Sequence, residues 1–486
     1  MKKLILILTT ALIAVSCSDN IEDLNQNIKD PSSVSGESLF ASAEKQIVDQ
    51  VSSLNVNQNN LRLWVQYLQE ATYEDESNYD QVTRPIPDNH WFAMYRDGLK
   101  DLDEAARIIS ETDNDLTNDL KANKLAVIEI MTVYAYSNLV ETFGNVPYSQ
   151  ALDLSNPLPA YDDQQVIYND LIERLTNAAN SLNTSLGSFS ANEDLIYFGD
   201  TSGWKKFANS LKLRMGIMLS DIDPAKSQTT VQEAVSAGVI SSAADNAFYA
   251  YSPADPNTNP VHVDLVLSGR FDFVAAETII DKMNALEDPR RAVYFTEVEG
   301  GGYVGGTIGT LNTYSQFSHV APSIAEPTAP GILMDYIEVE FLLAEAAARG
   351  YSVGGDAESH YVAGITASFD YWGAEGLADY LAKPEVDYTT ALANSSSTPA
   401  WKEVIGTQAW LGLYNRTFAS WLSVRRLDYP ILKEPAAPES GFPVRYTYPV
   451  TEQNLNTANY NQAASDIGGD SAETRLFWDL FYTFPF

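Results

Sequence analysis

The chain holds a single cysteine, Cys17, among 486 residues. No internal disulfide is possible, so stability rests on packing. Histidine is scarce too. His90, His262, His319 and His360 are the only four, none is spaced as a metal site, and no H-E-x-x-H occurs. Asp113-Asn114-Asp115 opens like a calcium loop, but glycine is missing from the sixth place and Lys124 stands where glutamate is required. That stretch reads as a solvated connection. G-x-S-x-G is absent, and the glycine-rich stretch 300–309 lacks the Lys-Ser/Thr ending of a phosphate cradle. No catalytic motif and no cofactor site is expected. Basic side chains number 30 against 65 acidic ones, a formal net charge of −35. Such a surplus disfavours nucleic acid and anionic lipid as partners. No run of 18 apolar residues occurs, so no membrane-spanning helix is expected.

What is present begins with a leader. Met1, Lys2 and Lys3 form a basic head, residues 4–15 are apolar apart from Thr9 and Thr10, and Ser16 precedes Cys17. This is the order of a signal peptide, and the apolar stretch is well short of the roughly 20 residues that span a bilayer. A cysteine directly after it resembles the lipobox of bacterial lipoproteins, with Ala14 where leucine is usual. A signal peptide is expected over 1–16, cut before Cys17, with lipid on that thiol. The polar stretch 17–35 reads as a tether. Loss of the leader, with two lysines and no acid, takes the formal charge from −35 to −37. Several acyl chains, at about 0.8 kcal/mol per buried methylene, hold a protein on a membrane.

The body, 36–486, reads as one mainly helical domain. Apolar residues recur at helical spacing over 36–53, 60–71, 90–110, 120–143, 164–182, 204–219, 229–237, 273–286, 335–350, 356–372 and 398–426. Paired helices of this length predict tetratricopeptide-like hairpins joined by long loops, with little strand and no clean 34-residue repeat. Long loops such as 73–89, 293–319 and 441–461 are the expected seats of function. Tyrosine (27) and tryptophan (8) are abundant, with many Asn and Ser. Flat rings beside short amides suit neutral polar ligands such as sugars.

Several segments together resemble the SusD/RagB family of surface lipoproteins. They are Glu141-Thr-Phe-Gly-Asn-Val-Pro-Tyr-Ser149, Trp204-Lys-Lys-Phe-Ala-Asn-Ser-Leu-Lys-Leu-Arg214, Asp288-Pro-Arg290, Ile337-Glu-Val-Glu-Phe-Leu-Leu-Ala-Glu-Ala-Ala-Ala-Arg349, Trp421-Leu-Ser-Val-Arg-Arg426, Tyr446-Thr-Tyr-Pro449, Asn459-Tyr460 and Phe477-Trp-Asp479. They occur in family order over nearly the whole mature chain; Asn145 stands where the family's turn usually has Asp. These motifs read as scaffold, with Arg214, Arg425 and Arg426 expected on carboxylates or helix ends. The resemblance implies an outer-membrane lipoprotein facing the cell exterior. It would capture oligosaccharides and pass them to a SusC-like TonB-dependent transporter. Peptide capture, as in the RagB branch, is the alternative, and a surface glycosidase a more distant one. Exposed loop aromatics flanked by amides or guanidinium groups are the expected site. Tyr73, Asn78, Tyr79 and Arg84 on loop 73–89 are the first candidates, with Trp91 just beyond. Tyr314 and Arg270 form a second pair.

Overall fold

The computed structural model describes residues 34–112 and 117–480. The leader, Cys17, most of the tether and the Asp113–Asp115 connection lie outside the described residues. The fold is mainly helical. Its principal helices are α1 (Gly36–Ser52), α2 (Ile86–Phe92), α3 (Lys100–Glu111), α4 (Asn118–Phe143), α5 (Gln164–Ser181), α6 (Thr201–Met218), α7 (Pro224–Ala237), α8 (Tyr336–Ala348), α9 (Ala357–Trp372), α10 (Ala400–Gly412) and α11 (Thr417–Leu427). A π-helical segment, Ala93–Leu99, joins α2 to α3. Successive helices pack as hairpins: α4 on α5, α6 on α7, α8 on α9 and α10 on α11, while α1 lies against α3.

Local chemistry sets the helix ends. Asp163, Asp200 and Asp335 cap α5, α6 and α8 by accepting backbone N–H groups, and Asp356 with Ser359 forms a capping box on α9. Gly373 ends α9 in the left-handed region at φ 64°, where a side chain would be strained. The stripe Phe207, Leu211 and Met215 is fully buried on α6. Phe341 of α8 sits between two glycines: a Cβ on Gly364 would come within 3.0 Å of its ring, and one on Gly412 within 2.8 Å. That close approach brings α8, α9 and α10 into one packed unit.

Among the described residues six short strands make three two-stranded antiparallel ribbons. β1 (Leu68–Glu70) pairs with β5 (Phe273–Ala275), β2 (Val146–Pro147) with β3 (Tyr161–Asp162), and β4 (Ala247–Tyr249) with β6 (Gly331–Met334). The first ribbon corrects two expected helices. Over 60–71 the helix covers only Leu61–Trp64, because Gln66 turns left-handed (φ 55°) and the chain then runs into β1. Gln66 is held in that turn by its side-chain bond to the Lys433 carbonyl. Over 273–286 the chain starts as β5 and becomes helical only at Glu277. The expected helix 398–426 is likewise two helices, separated by a turn with Asn415 at φ 70°.

Buried cations are matched within the scaffold. Asp288 and Arg290 are both fully buried and 2.7 Å apart. Arg426 meets Glu345 at 2.8 Å, Arg214 meets Glu338 at 3.3 Å, and Arg416 pairs with Asp335. Arg425 instead donates to the carbonyls of Glu141 and Val444 and lies 3.4 Å from the Trp421 ring centroid. These arginines serve the interior and leave the loops to carry any ligand site.

Candidate functional site

The β1–β5 ribbon places three loops side by side. Beyond Glu70, the Ala71 N–H donates to the Asp272 carbonyl at 2.7 Å, and the Asn312 N–H donates to the Ala71 carbonyl at 3.1 Å. Residues 70–73, 270–273 and 312–314 therefore meet at one end of the ribbon. A cleft of about 230 Å³ opens beside them. Its walls include Asn55, Asn57, Glu70, Tyr73, Arg84, Asp264, Arg270 and Asp272.

Tyr73 is the exposed ring of the cleft, with 45% of its surface open. The guanidinium carbons of Arg84 and Arg270 lie 5.4 and 6.0 Å from its ring centroid, inside cation–π range. Neither arginine is loose. Arg84 pairs with Glu76 and donates to Asn57 Oδ1 at 3.1 Å; Arg270 pairs with Asp272 at 2.5 Å. Next to Arg270, Phe271 is 64% exposed, and its ring centroid is 4.9 Å from that of Tyr314. Tyr314 stacks on His319 at 3.7 Å and 8°, and His319 Nε2 donates to the Tyr314 carbonyl at 2.8 Å. The result is a rim of flat faces with fixed cations between them.

Two carboxyl groups of the cleft, Glu70 and Asp264, have raised pKa values. Burial raises the Glu70 carboxyl, and the hydrogen-bonded Glu76 beside it adds to the effect; Ser77 donates to Glu70 through both its N–H and its hydroxyl. Burial also pushes Asp264 up to about 6, against the opposing pull of Arg62. The Tyr314 phenol is raised by burial. Among the described residues no group of histidines and carboxylates could hold a metal ion.

The structure thus brings Tyr73, Arg84, Arg270 and, next door, Tyr314 to one place. It corrects three other candidates. Tyr79 is only 2% exposed and packs edge-on against Phe442 at 6.0 Å. Its left-handed backbone (φ 71°) turns the ring inward. Asn78 is buried and works as a clasp: its amide donates to the carbonyls of Glu74 and Gly309 and accepts from the Ala437 N–H. Trp91 is buried among Tyr95, Phe143 and Tyr161, with centroids 4.8, 5.1 and 6.0 Å away. Phe271, Asn55 and Asn57 escape the sequence reading. Phe271 directly follows Arg270, yet nothing local marks an isolated aromatic as exposed.

A scaffold of helical hairpins that keeps its own cations buried and opens an aromatic, guanidinium-flanked cleft on its loops has the architecture of a binding protein. The chain belongs to the SusD-like family described as "Starch-binding associating with outer membrane", which matches residues 28–449. Among solved structures it is similar to a SusD homologue from Bacteroides uniformis, with 26% identity, 91% of this chain and 99% of that chain covered, and a TM-score of 0.76. It is equally similar to a chitin-binding protein, at 26% identity, 92% and 100% coverage and a TM-score of 0.76. A chitin-binding SusD homologue from Flavobacterium johnsoniae shares the fold at 23% identity, 91% and 98% coverage and a TM-score of 0.77. No curated protein matches the chain. No helix among the described residues is long and apolar enough to cross a membrane.

Proposed function

We propose that the chain is a lipid-anchored outer-membrane protein that captures an oligosaccharide at the Tyr73 cleft. It would hand the sugar to a SusC-like TonB-dependent transporter. The observation that carries this reading is the half-exposed Tyr73 ring between Arg84 and Arg270, at the mouth of a cleft with Phe271 at its edge. A sugar ring stacks its apolar C–H face on such a surface, while fixed cations and amides meet its hydroxyls. Both arginines are already neutralised by Glu76 and Asp272, which favours a neutral ligand over an acidic one. Starch-type and chitin-type oligomers are the first to test, since the family description names starch and a similar structure is chitin-binding.

Titration of the pure protein against malto-oligosaccharides and N-acetylglucosamine oligomers tests the reading. Tyr73→Ala should weaken binding about tenfold, on the order of 1.4 kcal/mol, at an unchanged melting temperature. Loss of stability without loss of affinity would make the ring part of the packing and the site misplaced. Binding that falls steeply with salt and ignores sugars would instead mark peptide capture. Release of reducing ends would mark a glycosidase.

The anchor is tested separately. Cys17→Ala should stop incorporation of labelled fatty acid and move the protein from the membrane to the soluble fraction. A variant that stays on membranes washed in high salt would refute anchoring through Cys17.

A further inference from the structure

The Tyr73 cleft does not end at Asn57. A second groove, about 470 Å³, begins at Asn55, Asn57 and Asp264, residues that also wall the cleft. It runs between the C-terminal half of α1, the face of α2 that continues into the π-helical segment, and residues 255–264. Asn57 joins the two spaces: its side-chain oxygen accepts from Arg84 in the cleft, and its carbonyl accepts from Asn89 in the groove at 2.7 Å.

One helical turn beyond Asn89 lies Phe92, half-buried on the groove wall. The Arg96 guanidinium carbon stands 5.4 Å from its ring centroid, and Arg96 is paired in turn with Asp97 at 2.7 Å. The arrangement repeats the one at Tyr73: an open ring, a guanidinium beside it, and a carboxylate fixing the guanidinium. Between the two rings, polar groups remain available. The side-chain N–H groups of Asn55 and Gln58 and the side-chain oxygen of Asn89 make no hydrogen bond among the described residues, while each residue is otherwise held in place. Lys45 is occupied by Asp49, and Asp255 makes no ion pair among the described residues, while Asp264 feels Arg62 and Arg270. An acidic sugar would meet these carboxylates unfavourably.

We infer that the ligand path continues past Asn57 to a second aromatic subsite formed by Phe92 and Arg96. The chain would then take a neutral oligosaccharide long enough to reach both rings. The inference rests on the Tyr73 reading and extends it. The cleft alone is smaller than the roughly 300–1,000 Å³ of ordinary small-ligand sites, whereas the groove falls within that range.

The test titrates the full chain with malto-oligosaccharides and with N-acetylglucosamine oligomers, each from the disaccharide to the heptasaccharide. Wild-type affinity should climb with length beyond the trisaccharide. Phe92→Leu keeps the apolar packing of the half-buried ring but removes its flat face, and Arg96→Ala removes an exposed cation. Both should leave disaccharide affinity unchanged and cost about tenfold for the longest chains, with melting temperatures held. Tyr73→Ala should weaken every length. If both groove variants match wild type at every length while Tyr73→Ala weakens binding, the second subsite is overturned and the cleft stands. If Tyr73→Ala changes nothing, or neither series binds, the cleft reading fails and the extension fails with it.

Discussion

Asp288→Ala should cost about 3–5 kcal/mol of stability, as expected when one partner of a buried ion pair is removed. The Asp288 carboxylate accepts from Arg290 Nη2 at 2.7 Å, from Nε at 3.1 Å and from the Arg290 backbone N–H at 3.0 Å. Neither side chain reaches solvent. Burial by itself would lower the Arg290 guanidinium, yet Asp288 more than reverses this and its pKa stands above the ordinary value. Without Asp288 the cation keeps only the neutral acceptors Ser368, Tyr380 and Gln408, at 3.1 to 3.2 Å, and the faces of Phe369 and Tyr380. Native proteins hold about 5–15 kcal/mol in all, so the loss would be visible as a large fall in the urea midpoint. Removing both charges, in Asp288→Ala with Arg290→Met, should restore part of it, because no buried charge is then left unmatched. A loss under 1 kcal/mol in the single variant would mean that Arg290 finds water or another acceptor.

The melting temperature should fall as pH rises from about 5 to about 8, the reverse of simple acid denaturation. Burial pushes Asp264 up to about 6 and Asp479 up to about 7. Burial also raises Glu44, Glu70, Glu141 and Glu338. A carboxyl whose pKa is higher in the folded chain than in the unfolded one binds its proton more tightly when folded. Its contribution is therefore complete below the unfolded pKa and is lost as pH climbs through the folded one. Each tenfold change in proton affinity corresponds to about 1.4 kcal/mol, so Asp264, losing about one such step, and Asp479, losing about two, together put the loss at roughly 4 kcal/mol across that window. The net charge of −35 adds self-repulsion in the same direction. Below about pH 4 stability should fall again. Glu345 is the reason: burial raises its carboxyl, but Arg426 and Arg349 outweigh that and hold it below its ordinary value, and protonating it breaks both contacts. Scanning calorimetry across the range checks the curve. Asp479→Asn should flatten its alkaline limb, and a melting temperature that stays level or climbs from pH 5 to 8 would contradict the argument.

The scaffold is legible in the sequence because its signals are local. Apolar spacing, with a Thr cap on α4, Asp caps on α5, α8 and α9, and glycines closing α4 and α9, is enough to place these four helices to within a few residues. The ribbon is not legible, for Leu68-Gln69-Glu70 is too short to show a period of two and sits inside what reads as a helix. Only its partner Phe273-Val274-Ala275, far along the chain, makes it a strand. The site divides in the same way. Tyr73, Arg84, Arg270 and Tyr314 stand out as rings or cations on loops without periodicity, and they do gather around the cleft. Tyr79 carries the same local signals and is nonetheless buried, because the ring that covers it, Phe442, arrives from the other end of the chain. Asn78 is likewise claimed by Gly309 and Ala437. Exposure of a loop residue is a tertiary fact that neighbouring residues do not encode.

The ribbon that joins residues 68–70 to 273–275 also fixes when the protein acquires a site at all. Arg270, Phe271 and Asp272 reach Tyr73 only after the intervening α4–α7 hairpins have been synthesised and the ribbon has closed. A chain still emerging from the ribosome has the rings but no cleft. If the cleft is the ligand site, retention on an immobilised ligand would therefore select the molecules that have finished folding.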